Sequence, residues 1–378
     1  MDFNYSEEQQ MLADTLSRFV KHAYSLEVRR KLAASESGFS DDHWRHFAQQ
    51  GLLGLNVPQE YGGLGGEPVE TLIVMQALGR GLVLEPYLST AVLGAGLLTA
   101  AGNAEQRSGW LPAIVDGTKR LALAALEPQA RFDLAQVRTS AEPKVEGYVL
   151  NGRKSVVLHG DSADALIVSA RTRGEDSERE GVSLFLVNAD VSGLGVRGFP
   201  SIDGQRCAEV TLSNVFVGRD AMIGAVDGGH ALLEQCVDTG IAALCAESVG
   251  CMEMVLEITV DYLRTRTQFG RPIGTFQVLQ HRVADMAIAI EQARSAAYLA
   301  AGRLRDSDSV ERRKAISAAK ALVGRSGRYV GQQAIQLHGG MGMTDELAVG
   351  HYFKRLTCID MTWGDAQHHT ELYAQLLA

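Results

Sequence analysis

Cysteine, proline and long apolar runs are what this 378-residue chain has least of, and each shortage argues against a class of protein. Its five cysteines (Cys207, Cys236, Cys245, Cys251 and Cys358) form no Cys-x-x-Cys pair and no regular spacing. That pattern speaks against a disulfide-stapled scaffold and a structural zinc site, and it fits a reducing compartment. Only 8 prolines are present and no low-complexity tract, so no long disordered linker is expected. The longest apolar run, Ala91 to Ala101, falls short of the roughly 18 residues a membrane span needs and reads as a buried helix. The start, Met1-Asp2-Phe3-Asn4-Tyr5-Ser6, has neither the basic residues nor the apolar core of a secretory signal, and a cytoplasmic location is the expectation.

Positive charge is also in deficit. With 36 Lys and Arg against 45 Asp and Glu, the net charge of −9 speaks against nucleic acid as the main partner, although a local basic patch can still bind an anionic cofactor. No metal is expected: His281 and Asp285, four apart on a predicted helix, and the adjacent His368 and His369 each lack a third ligand nearby.

What is there is a chain long enough for two or three structural units, 46% hydrophobic and 21% charged. Ser6 followed by Gln9 is a capping-box start, and Leu12, Leu16, Phe19 and Val20 form an apolar stripe at helical spacing. Similar stretches (Trp44 to Gln50, Val69 to Leu82, Ala104 to Val115) predict a helical N-terminal domain over 1–119. Tyr148 to Val157 reads as two strand-like runs around Asn151-Gly152, a hairpin signal. Further strand-like runs at Ala165 to Arg171, Val182 to Val187 and Glu209 to Val217 extend a small, barrel-like β domain over 120–222. Long helical patterns return at Ala231 to Arg264, Thr275 to Leu304 and Val310 to His338, with a last helix ending near Leu377. They predict a C-terminal four-helix bundle over 223–378, and an α+β fold for the whole.

Two strings carry candidate chemistry. Between Arg264 and Gly274, three arginines, two glycines and Pro272 make a tight basic turn, either a solvated helix connection or a site for a doubly charged phosphate group. About 70 residues on, Gln336-Leu337-His338-Gly339-Gly340-Met341-Gly342 is either a helix-ending glycine turn or a place where backbone approaches a ligand.

Arg266-x-x-Phe269-Gly270-x-x-Ile273-x-x-x-Gln277 closely resembles a signature of the acyl-CoA dehydrogenase family, and the second string resembles its Gln-x-x-Gly-Gly-x-Gly segment. The resemblance extends over essentially the whole chain. It implies FAD shared across a subunit boundary, with Arg266 pairing the pyrophosphate of a neighbour's FAD, Phe269 packing beside it, Gln336 hydrogen-bonding it and Gly340 allowing close approach. It also implies α,β-dehydrogenation of an acyl-CoA, with an electron-transferring flavoprotein as acceptor.

The departures fall in the other half of that site. The family's Thr-Glu-Pro-x-Ala-Gly-Ser-Asp loop reads Leu126-Glu127-Pro128-Gln129-Ala130-Arg131-Phe132-Asp133, and its Trp-Ile-Thr-Asn-Gly strand reads Val156-Val157-Leu158-His159-Gly160. Two hydroxyls, a tryptophan and a threonine are gone; unpaired polar edges of a bound flavin ring would cost roughly 1–3 kcal/mol each. Trp363 stands where the family usually carries its catalytic glutamate, and an indole has no basic site at neutral pH. Gly240 occupies the alternative base position. Glu247 and Asp365 are the remaining carboxylate candidates, each displaced from near-attack geometry.

The expectation is therefore the small, β subunit of a heteromeric α2β2 acyl-CoA dehydrogenase, similar to those acting on pimeloyl-CoA or steroid-CoA thioesters, without a catalytic residue of its own. A self-sufficient homotetramer using Glu247 or Asp365, a flavin oxidase or monooxygenase, and a structural or regulatory protein without flavin are the alternatives.

Overall fold

A computed structural model describes residues 5–377. Six helices come first: α1 (Glu7–Ala23), α2 (Leu26–Ala33), α3 (Asp41–Gln49), α4 (Pro68–Gly81), α5 (Ala95–Ala101) and α6 (Ala104–Val115). Eight strands follow: β1 (Leu121–Ala124), β2 (Ser140–Lys144), β3 (Gly147–Leu158), β4 (Ala165–Arg171), β5 (Val182–Asn188), β6 (Leu194–Pro200), β7 (Arg206–Gly218) and β8 (Met222–Ile223). Then come α7 (Gly229–Thr265), the short strands β9 (Thr267–Gln268) and β10 (Arg271–Pro272), α8 (Gln277–Arg303), α9 (Ser309–His338), α10 (Ala348–Met361) and α11 (Ala366–Leu377). The fold is α+β, with helices first, a β sheet in the middle and a helical bundle last.

By compactness the chain forms two units. One runs to Lys31, takes Pro68–Val83 and resumes at Ile241; the other comprises Leu32–Glu67 and Leu84–Gly240. The second holds an eight-stranded sheet in the order β6-β7-β3-β2-β4-β5-β8, with β1 parallel to β4. Leu150, Leu166, Val168, Phe185, Val187, Val210 and Val215 alternate into its core. From β3, an interior strand, Lys154 forms a fully enclosed ion pair with Glu127 at 2.7 Å. Glu127 also accepts from the backbone N–H groups of Arg138 and Thr139, each at 2.9 Å. Burial works against the Glu127 carboxylate, yet Lys154 and the Thr139 bonds hold it down at about 2. Burial pushes Lys154 down to about 8 against the pull of Glu127. The two shifts oppose each other in stability, so the pair as a whole contributes little, while either ion alone is costly.

The first unit begins where the sequence says it does: Ser6 Oγ accepts from Gln9 N at 3.2 Å, and Gln9 Oε1 accepts from Ser6 N at 3.0 Å. Helices α4 and α7 pack backbone to backbone. A Cβ on Gly79 would lie 2.1 Å from the Glu247 carbonyl oxygen, and one on Gly250 1.9 Å from that of Gln76. Helix α9 packs against α8, α10 and α11.

Two expectations change. Asn151-Gly152 is not a hairpin turn but lies inside the single strand β3, where pairing with β7 shifts register. A Cβ at Gly152 would sit 2.4 Å from Thr139 Oγ1, so the glycine serves close approach at a bulge. The actual turn joins β2 to β3 after Lys144, which pairs with Gly147. The last helix is also not continuous: it breaks at Thr362–Asp365 into α10 and α11, because Trp363 (φ 54°) and Gly364 (φ 116°) leave the helical region. No described helix is long and apolar enough to cross a membrane.

Lys154→Met is expected to destabilise the protein by about 3–5 kcal/mol, because Glu127 stays buried without its cation. In a denaturant-unfolding double-mutant cycle, Glu127→Leu together with Lys154→Met should cost much less than the sum of the single changes. An additive result would mean the pair is not coupled.

Candidate cofactor groove and the Trp363 corner

The two motifs about 70 residues apart in sequence meet on one side of the bundle. A groove of about 720 Å³ is lined by Tyr262, Arg266, Arg282, Gln336, His338 and Gly340 among others. Arg266 follows the end of α7 and donates its backbone N–H to Tyr262 O at 2.8 Å, which sets where its side chain starts. The residue is exposed and has no ion-pair partner among the described residues. Arg282, one helical turn beyond Val278 and Leu279 on α8, adds a second cation and is steadied by Gln333 Oε1 at 3.2 Å.

Phe269 occupies the tip of the β9–β10 hairpin. Gln268 pairs with Arg271, leaving a two-residue turn in which Phe269 (φ 52°) and Gly270 (φ 76°) are both left-handed. A phenylalanine there is strained by about 1–3 kcal/mol, and 90% of its surface is exposed. Phe276 meets it edge-on, with ring centroids 6.1 Å apart. At the end of α9, Gly339 (φ 59°) turns the chain and an ideal Cβ on Gly340 meets nothing within 4 Å. The backbone here is open to a ligand, next to two arginines. That arrangement fits the pyrophosphate and adenosine end of FAD.

The substituted segments lie in the other unit. Val156 sits at the bulge of β3 with φ 52°, outside the usual range for a β-branched residue, and is 57% exposed. Ser155 N donates to Leu126 O at 2.9 Å, tying the two altered segments together. His159 turns inward to Leu84 O through Nε2 (3.1 Å) and to Ser89 Oγ through Nδ1 (3.4 Å). Phe132 is half-buried with the Arg131 guanidinium 5.3 Å from its ring centre. Aliphatic and aromatic side chains stand at Leu126, Phe132, Val156 and Leu158, and these positions do not fit the polar edges of a flavin ring.

Trp363 is 9% exposed in a corner built around Lys320. The Lys320 ammonium, itself buried, donates to four carbonyls: Ile359 (2.9 Å), Asp360 (2.8 Å), Thr362 (3.0 Å) and Gly364 (2.7 Å). Burial pushes it down to about 8, so it stays protonated at neutral pH. His369 donates from Nε2 to the Trp363 carbonyl at 3.0 Å, and its Nδ1 faces Ser317 Oγ at 3.4 Å. Asp365 accepts from His368 N at 2.8 Å and so caps α11. Glu247 is buried and held at both oxygens by Arg355, at 2.6 and 2.7 Å. Gly240 is buried within α7 and brings no side-chain chemistry. Among the described residues no group of three His, Cys, Asp or Glu is placed to hold a metal.

Sequence reasoning named neither Arg282 nor Lys320. The signals were present: Arg282 shares a helical face with Val278 and Leu279, and Lys320 interrupts the apolar stretch between Ile316 and Val323.

Burial, aided by Lys320 and His368, holds the His369 imidazole down at about 3, so it is neutral in the fold. The unfolded chain protonates it below about 6.5, hence stability falls as pH drops from there toward 3, by at most about 1.4 kcal/mol per pH unit. His369→Gln should flatten that part of the stability profile measured by denaturant unfolding. An unchanged slope would remove His369 from the acid sensitivity.

Three family models match the chain in sequence order: the N-terminal domain of acyl-CoA dehydrogenase over residues 6–118, the middle domain over 122–215 and the C-terminal domain over 227–377. A mitochondrial isovaleryl-CoA dehydrogenase of Solanum tuberosum is 32% identical over 322 residues, 82% of this chain and 76% of that relative. Among solved structures, a steroid ACAD, Tcur3481-Tcur3483, is 32% identical with a TM-score of 0.88 over 98% of each chain. The ChsE4-ChsE5 complex from Mycobacterium tuberculosis is 28% identical with a TM-score of 0.89, covering 100% of this chain and 99% of that one. On these matches and the domain order they share with the observed fold, the chain belongs to the acyl-CoA dehydrogenase family.

Proposed function

We propose that this chain is the base-lacking subunit of a two-chain, α2β2 acyl-CoA dehydrogenase, acting by completing the FAD site of a catalytic partner. The observation that carries the reading is an asymmetry. The bundle groove keeps Arg266 unpaired and Gly340 open, while Trp363, buried and left-handed, fills the usual base position. The similarity to two-chain complexes, the steroid ACAD and ChsE4-ChsE5, supports it.

In this reading Arg266 holds the pyrophosphate, Gln336 hydrogen-bonds the cofactor, Phe269 packs beside it, and Gly340 lets it approach the backbone. FAD, when bound, supplies the acceptor for the hydride that leaves the β-carbon of the acyl-CoA. The α-proton goes to a carboxylate of the partner, since this chain has none in place. Glu247 is committed to Arg355 and Asp365 to the start of α11, which argues against a self-sufficient homotetramer. Electrons then pass to an electron-transferring flavoprotein, by family analogy. The domain limits 1–119, 120–222 and 223–378 are part of the same proposal.

The test is flavin content per chain. The protein purified alone should be colourless, and co-purified with a dehydrogenase chain that carries the glutamate it should hold a single FAD per unlike pair. A yellow chain with stoichiometric FAD on its own would overturn the two-chain reading. Arg266→Ala in the complex should weaken FAD retention about tenfold or more by removing a charge-assisted contact; unchanged flavin would count against FAD binding in trans.

A further inference from the structure

One polar atom in the groove has no assigned task. His338 closes α9 and is 3% exposed, yet it lines the groove. Its Nδ1 lies 2.8 Å from the Ala334 carbonyl oxygen, and a carbonyl only accepts, so Nδ1 carries the proton. Burial lowers the pKa of the ring, which keeps it neutral. Nε2 is then a bare acceptor, with no hydrogen-bond partner among the described residues. Two contacts hold the ring in this orientation. Tyr262 stacks on it with centroids 4.4 Å apart and planes 28° apart, and the Nδ1 bond to Ala334 O anchors its other edge. An acceptor held in place by this stack, in the same groove as Arg266 and Arg282, matches a ligand that carries a donor close to its diphosphate.

We propose that His338 is a specificity residue of the groove, its Nε2 accepting a hydrogen bond from a hydroxyl or amino group of a nucleoside beside the arginine-held diphosphate. The groove then reads a nucleoside diphosphate and not a diphosphate alone. The inference rests on the reading that the groove holds the adenosine end of FAD. Neither arginine can make this distinction, because both address the phosphates.

The test is calorimetric titration of the full chain with two probes, ADP and inorganic pyrophosphate. The wild type should prefer ADP. His338→Phe keeps the stack with Tyr262 but loses the acceptor, and should weaken ADP about five- to tenfold with pyrophosphate unchanged. His338→Gln, which restores an oxygen acceptor, should recover part of the loss. Arg266→Ala should weaken both probes. Equal loss of both probes in His338→Phe, or no loss of ADP while Arg266→Ala weakens both, overturns the proposal and leaves the FAD reading standing. Should the chain alone bind neither probe, FAD retention of the co-purified complex decides. A five- to tenfold loss with His338→Phe supports the proposal and unchanged retention sinks it, whereas unchanged retention with Arg266→Ala sinks the parent reading. The thermal midpoint of each variant checks that it folds.

Discussion

A single buried ammonium organises the part of this molecule where the family's chemistry would be. Lys320 on α9 donates to four carbonyls across the break between α10 and α11, and a three-hydrogen donor facing four acceptors must share at least one bond. Without it, the end of α10 and the following turn would bury unpaired carbonyls, at about 1–3 kcal/mol each. The left-handed Trp363 and Gly364 are affordable only because this cage and His369 hold the turn in place. The same helix ends 18 residues later at His338, roughly 27 Å along its axis. One helix therefore supports both the Trp363 corner and the groove proposed for the cofactor.

Carboxylates show how far availability differs from presence. Glu127, Glu247, Asp360 and Asp365 all lie on segments close in sequence to the family's functional motifs, and each is engaged in structure. Glu127 answers Lys154, Glu247 answers Arg355, Asp360 bridges Arg328 and the Ala366 N–H, and Asp365 caps α11. A buried carboxylate that gives up such partners pays several kcal/mol. The groove arginines are the reverse case: Arg266, exposed just after α7, and Arg282, half-buried on α8, have no ion-pair partner among the described residues. Charge left unpaired in a concave surface is what an anionic ligand can use.

Much of the fold was legible in the chain. The capping box at Ser6, the apolar periodicity of α7, α8 and α9, and the strand-rich middle each follow from local rules of helix and sheet, and the structure places them accordingly. The hairpin at Asn151-Gly152 was misread because Asn-Gly marks left-handed turns and close-approach bulges alike. The choice between them depends on Thr139, which comes near only once β2 and β3 have paired. The broken last helix was misread because neither Trp363 nor Gly364 is by itself a helix stop of the strength of proline.

Sequence alone determined the family, the order of helix, sheet and bundle, and which residues replace the family's polar and basic ones, because residue types and their spacing are properties of the chain. Tertiary structure alone decided which polar atoms remain free. Arg282 reaches the groove steadied by Gln333, 51 residues away, and Glu247 is held by Arg355, 108 residues away. Hydrogen-bond partnership inside a packed bundle is a long-range property, and no local pattern encodes which partner arrives.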